Sequence, residues 1–275
     1  MAQKGLFPIS RERHGNRFWQ RFTSFDFARP LTEAPVVGEE ILRAASAFPI
    51  IFRRTGAGIG PVALLSLVPE QGSPFVAPQG HWRASYVPAA LRGHPFHAQP
   101  SGQQDEMALL VDEASGLITA DPRDERFFLP DGTIAPGLTA VVQFFRARER
   151  AALETAALCA TLDTMGLFTP LPAYEGVALP GGGLGIDLAK LTTLPESQAA
   201  LLLRSGALRL VHAHQVSLHH CHWLYQAEVQ AAGPSESMKQ PPAPGLDGFL
   251  CALARAADDL SGAEYGVGYQ ESRHV

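Results

Sequence analysis

The sequence predicts an α+β fold: an antiparallel β-meander sheet packed by several α-helices, followed by a flexible C-terminal extension. Three observations predict it. Apolar runs of strand length follow one another between residues 48 and 130 with short, glycine-containing connections, and such connections suit antiparallel pairing because a parallel one needs a dozen or more residues. Stretches with apolar residues three and four apart flank these runs, which is helical spacing. A proline- and serine-rich stretch, AAGPSESMKQPPAPGLD at 231–247, then interrupts the pattern and has too little apolar content to pack. These divide the chain into a domain over 1–230 and an extension over 231–275.

In chain order, residues 1–35 mix aromatics, arginines and prolines without a sustained period and read as an irregular arm, with at most a short strand around Arg21–Phe27. VVGEEILRAASAFP sets Ile41, Leu42, Ala45 and Phe48 at helical spacing and is stopped by Pro49, a residue that cannot continue a helix. PIIFRR and PVALLSLV, joined by the turn TGAGIG, are two strands; PFVA and HWRASYVP, joined by PQG, are a third and fourth. ALLVDEASGLI and FFLPDGTIAPG add short strands and turns. The longest helix is expected over 138–165, with Leu138, Val141, Val142, Phe145 and Leu153 on its covered face and Gly166 as its stop. After a linker or hairpin, FTPLPAYEGVALPGGGLG, Thr193 and Glu196 have the spacing of a capping box for a helix over 194–205, ended by Gly206. A final helix spans 208–229, and GFLCALARAADDL supports a short amphipathic helix at 248–260 that docks on the domain or on a protein partner.

Composition narrows the functional classes. A net charge of −5 argues against a protein built to neutralise nucleic-acid phosphate or to coat an acidic membrane. The basic segment RERHGNRFWQR at 11–21 reads as solvated. Cys159, Cys221 and Cys251 are odd in number, far apart and form no CxxC pair, which suits reduced thiols in a cytoplasm. The start lacks a signal-peptide core, and PVALLSLV at 61–68 is far shorter than the ~20 residues a membrane-spanning helix needs. No membrane span is expected.

The segment VHAHQVSLHHCHWLY at 211–225 holds five histidines and a cysteine, and geometry decides whether they form a metal site. Helical ligands that share a face lie three, four or seven apart. Here His219 and His222 are three apart and His212 and His219 seven apart, none four apart, so the set is smeared around the helix. No metal and no cofactor are expected. PGGGLG lacks the spacing of a phosphate cradle, and there is no GxSxG nucleophile elbow.

FVAPQGHWRASYVPAALRGHPF at 75–96 resembles the SapC family, whose members carry a pattern close to N-L-F-V-D-x-x-G-x-W-x-x-x-Y-V-P-A-x-L-R-R-Y-P-F. Phe75, Val76, Gly80, Trp82, Tyr86, Val87, Pro88, Ala89, Leu91, Arg92, Pro95 and Phe96 match it. Further likeness reaches from His14 in ERHG to His214 and Ser217, which match a Y-A-H-L-x-S-L pattern. Ser73, Ala77, Gly93 and His94 depart from it, standing where the family usually has Asn, Asp, Arg and Tyr. The family is named from a surface-layer protein locus, so the resemblance implies a binding or accessory role at the cell surface or in uptake.

The candidate site follows from strand alternation, which would set Trp82 and Tyr86 side by side as an aromatic wall. Arg92, just beyond, would grip a carboxylate or phosphate of a small-molecule or peptide ligand. Simple core packing of the two aromatics and a surface salt bridge for Arg92 are the competing readings. His214, Ser217 and His14 complete the candidate set through the resemblance. The alternative is an enzyme with His214, Tyr86 and Arg92 as acid/base and anion-binding groups; a weaker one is an interaction module acting through residues 248–260.

Overall fold

A computed structural model describes residues 5–68, 71–100 and 107–232. The residues of the expected linker beyond Ala232, and of the 248–260 helix with its partner, lie outside the described residues. The N-terminal arm supplies β1 (Leu6–Pro8), α1 (Arg11–His14), β2 (Phe18–Trp19) and β3 (Glu33–Pro35). Next come α2 (Ile41–Ala45), β4 (Ile50–Thr55), β5 (Gly58–Leu64), α3 (Ala89–Arg92), β6 (Phe96–Pro100), β7 (Met107–Asp112), β8 (Ile118–Thr119) and β9 (Glu125–Arg126). The rest is α4 (Pro136–Thr164), β10 (Phe168–Pro170), β11 (Ala173–Tyr174), β12 (Val177–Ala178), β13 (Gly183–Ile186), α5 (Leu188–Thr192), α6 (Glu196–Ser205), α7 (Ala207–Ser217) and α8 (His220–Ala232).

Every strand pair is antiparallel, as expected, and the class is α+β. The central sheet has the order β10-β13-β4-β5-β3, and the three-stranded sheets β1-β7-β6 and β8-β2-β9 lie outside it. Consecutive Ile50, Ile51 and Phe52 are all fully buried, the continuous apolar run of a strand covered on both faces. α7 packs on β4 and β13, and α4 on β5. At ~1.5 Å per residue α4 is about 43 Å long, and it serves two cores. Leu138 and Phe145 join Trp19, Phe96, Val111 and Phe127 in a smaller one, while Cys159 and Leu162 join Phe48, Ile50, Phe52 and Leu64 in the larger.

The strand order is not the expected meander. Only β4 and β5 pair among the four strands expected over 48–88; the sheet is completed instead by β3 from the arm and by β13 and β10 from far downstream. HWRASYVP is not a strand. Its single ladder contact is the bridge Val76↔Trp82, closed by Gly80 at φ 81°, after which the chain bends toward Pro88. The arm is also more ordered than expected, and Arg21–Phe25 is its irregular part.

Among the helices, Gly166 and Gly206 do stop α4 and α6 at positive φ, but three details differ. Leu153 stands in solvent because the covered stripe runs through Ala151, Thr155 and Cys159. Thr193 forms no capping box; its hydroxyl donates back to the Ala189 carbonyl at 3.0 Å and closes α5. The expected helix over 208–229 breaks at Leu218 and His219, where the Ser217 hydroxyl takes the His214 carbonyl at 2.7 Å in competition with the helical ladder.

Gly80 is the sharpest backbone requirement. A Cβ there would strike the Ser24 hydroxyl and come within 2.9 Å of an Asp26 carboxylate oxygen, and its φ disfavours side chains by a further 1–2 kcal/mol or so. Gly80→Ala is therefore expected to destabilise the fold by about 2–3 kcal/mol, read from the urea midpoint; an unchanged midpoint would show that the turn relaxes freely.

Candidate functional site

α3 begins at Ala89 after Pro88, which offers no side-chain cap to the helix. The missing acceptor comes from Glu40, at the entry to α2. One of its oxygens accepts from the Ala89 N–H at 2.8 Å and from the Tyr86 hydroxyl at 2.6 Å. The other accepts from the Val37 N–H at 3.2 Å. Arg92, one turn into α3, donates to the Tyr86 hydroxyl at 3.0 Å and reaches Glu40 at 3.4 Å. Glu40 is 5% exposed, so a carboxylate, a phenol and a guanidinium are locked together at the edge of the core. Burial and the Glu40 hydrogen bond push the Tyr86 phenol up to about 12; it is a neutral donor at physiological pH.

This cluster walls a cavity of about 280 Å³ lined also by Arg43, Phe144 and Arg148. A second cavity, about 370 Å³, is lined by Trp19, Phe22, His94, Phe96 and Val141. Arg92 and Phe144 belong to both. Along α4 the lining residues Gly137, Ala140, Val141, Phe144, Ala147, Arg148 and Ala151 recur three and four apart, a single helical stripe that forms the floor of both cavities. The small residues in the stripe leave the space, and Phe144 stands between the two halves. Burial lowers the His94 imidazole to about 4, and the ring stacks on Phe27 with centroids 3.9 Å apart, so a neutral aromatic ring closes the second cavity.

Of the residues predicted from sequence, Tyr86 and Arg92 meet here. Trp82 does not line the cavity: it packs against Phe25, Phe48 and Phe75, and its indole N–H donates to the Tyr86 carbonyl at 2.7 Å. It therefore positions Tyr86 from behind. His214 lies elsewhere, buried between α7 and the sheet, with Nδ1 donating to the Ile50 carbonyl at 2.7 Å and Nε2 accepting the Ile186 N–H at 3.4 Å. Ser217 accepts the Ile50 N–H at 2.9 Å, so the pair holds both polar groups of Ile50. His14, fully buried, sits against Phe127 at 5.0 Å and near Glu113 at 3.2 Å, in the smaller core. His214, Ser217 and His14 line neither of these two cavities.

The other histidines of the rich segment are divided among α7, the break that follows it and α8. His212 and His222 are exposed, His220 donates to the Ala45 carbonyl at 3.1 Å, and His219 edges onto Tyr174 at 6.0 Å. Among the described residues no three metal-ligating side chains come together, and no helix is long and apolar enough to cross a membrane.

Most of the motif departures have local explanations. Ser73 accepts the Phe75 N–H at 3.3 Å and His94 gives the stack just described, while nothing in the structure explains Ala77. At Gly93 a Cβ would run into the Phe145 ring, so a larger residue there requires that ring to move. Sequence reasoning missed Glu40, Phe144 and Arg148. Acids ahead of a helix and arginines along one usually face water, and only the doubled Phe144–Phe145, one ring in the core and one in the groove, carried a signal.

A family model, SapC, matches residues 9–224. No curated protein and no solved structure matches the chain. The match spans every element that builds the groove, from β2 to α4, together with the His214–Ser217 anchor, and by it the chain belongs to the SapC family.

Proposed function

We propose that the protein is a binding or accessory protein that takes up a small molecule, or a side chain of a peptide, in the groove along α4. The observation that carries this is the shared wall: Arg92 and Phe144 line both cavities, joining an aromatic chamber to a polar one. Ligand sites commonly combine apolar walls with a few fixed polar groups, and here Tyr86 and Arg92 are fixed in advance by Glu40. The family's name, taken from a surface-layer locus, supports setting this binding in a cell-surface or uptake process.

The test uses Ala140, an exposed helical residue on the groove floor, where a large side chain fills the aromatic chamber without entering the core. A panel of small aromatic and aliphatic acids, alcohols and short peptides is screened by thermal shift against the wild type and Ala140→Trp. A ligand at 100 times its Kd stabilises by about 2.7 kcal/mol, which moves the melting temperature by several degrees. Expected are hits that Ala140→Trp abolishes while melting normally by itself. Hits unaffected by Ala140→Trp place binding elsewhere and sink the reading.

A further inference from the structure

Resting on that reading of the groove, we propose that its smaller cavity is an oxyanion subsite, so that the ligand carries a carboxylate or phosphate head on an apolar body. Three arginines, Arg43, Arg92 and Arg148, line this cavity, against two carboxylates, Glu39 and Glu40. The carboxylates offset them only in part. Glu39 is exposed to water. Both oxygens of Glu40 are already taken, by the Val37 N–H on one side and by Tyr86, the Ala89 N–H and Arg92 on the other.

Arg148 is the telling residue. It reaches the cavity from α4, one turn beyond Phe144, and its Nε is buried with no hydrogen-bond partner among the described residues. Burial makes its charge harder to hold, and Glu40 is the acid that works against this. A guanidinium does not shed its proton in a protein, and a buried polar N–H without a partner is costly. An oxyanion in the cavity offsets the buried charge, and its oxygens match the planar donor fork of the arginines that line it.

The neighbouring chamber fixes the rest of the ligand. Trp19, Phe22, Phe96, Val141 and Phe144 offer no partner for a second charge, and Arg21, the further cation on this chamber's wall, is already paired with Glu125 at 2.8 Å, so the portion beyond Phe144 is apolar. His94 adds a neutral ring rather than a cation there. The ligand class is therefore a monoanionic or dianionic amphiphile.

Isothermal titration of the full chain with octanol, octanoate, octyl phosphate and inorganic phosphate tests this, with Arg148→Met as the variant, which keeps an unbranched side chain and removes the charge. Octanoate and octyl phosphate are expected to bind about ten-fold or more tighter than octanol, the gain of a charge-assisted hydrogen bond. Arg148→Met should erase that preference, bringing octanoate and octyl phosphate down to the affinity of octanol, and should melt no lower than the wild type. Which of the two anions binds tighter identifies the head group. Equal affinity for octanol and octanoate, or a preference that survives in Arg148→Met, overturns the subsite while leaving the groove reading intact. If inorganic phosphate binds in an Arg148-dependent way and the octyl chains add nothing, the subsite stands and the apolar chamber reading falls. If no compound binds, both fall.

Discussion

Glu40→Ala is expected to lower the unfolding free energy by about 3–5 kcal/mol, the range for breaking a buried, hydrogen-bonded charge cluster by removing one partner. The loss comes from what is left behind. The Tyr86 hydroxyl, the Ala89 N–H and the Val37 N–H all donate to this one carboxylate, and each buried donor without an acceptor costs about 1–3 kcal/mol. Arg92 loses its counter-charge as well. Glu40→Gln keeps a carbonyl oxygen for part of the set and is expected to cost about half as much. Urea unfolding of both variants checks this, and a Glu40→Ala midpoint within about 1 kcal/mol of wild type would mean that water replaces the carboxylate and that Tyr86 and Arg92 are not held in advance.

His214→Ala is expected to cost a similar 3–5 kcal/mol, combining a cavity in the core with two orphaned backbone groups, the Ile50 carbonyl and the Ile186 N–H. It should also change the acid limb of the stability curve. Burial lowers the proton affinity of His214, His94, His97 and His14 in the folded chain. The unfolded chain then binds more protons below the ordinary histidine value of 6.5. Their contribution is accordingly complete above that pH and is lost as the pH falls through it toward the folded values. His94, lowered to about 4, accounts for at most about 3 kcal/mol of this. Glu228, raised by burial, acts in the opposite sense, since acid relieves its buried charge. The wild type should therefore lose stability between pH 6.5 and 5, and His214→Ala should lose less over the same interval. Parallel urea titrations at pH 8 and pH 5 decide it: identical slopes with pH for the two proteins would show that His214 is not the neutral, buried anchor described.

Much of this architecture was legible because its signals are long. α4 carries 29 residues of helical periodicity with a glycine stop, and β4 and β5 flank a tight turn. β3, β10 and β13 were not legible, being three or four residues each and containing proline or glycine; their pairing is decided by the surfaces they meet. Trp82 and Tyr86 show the same limit. Their alternation is that of a strand, yet the positive-φ turn at Gly80 leaves room for one bridge, and Trp82 ends behind Tyr86 instead of beside it. In the site, Tyr86 and Arg92 could be named from their motif alone. Glu40 could not, because its partners lie some fifty residues downstream and only the fold brings them together. The histidine-rich segment showed the reverse: most of its histidines are exposed or sparsely connected, while His214 and Ser217 hold both polar groups of Ile50 in β4 and His214 also takes the Ile186 N–H of β13.

The double duty of α4 has a consequence for how the molecule opens. A helix that gives Leu138 and Phe145 to one core and Cys159 and Leu162 to the other ties the two into one cooperative unit, since neither can melt without stripping side chains from the shared element. Slow amide exchange along its whole length should then follow one global opening rather than two local ones. A ligand lying in the groove on its outer face would raise the protection of residues far from any atom it touches.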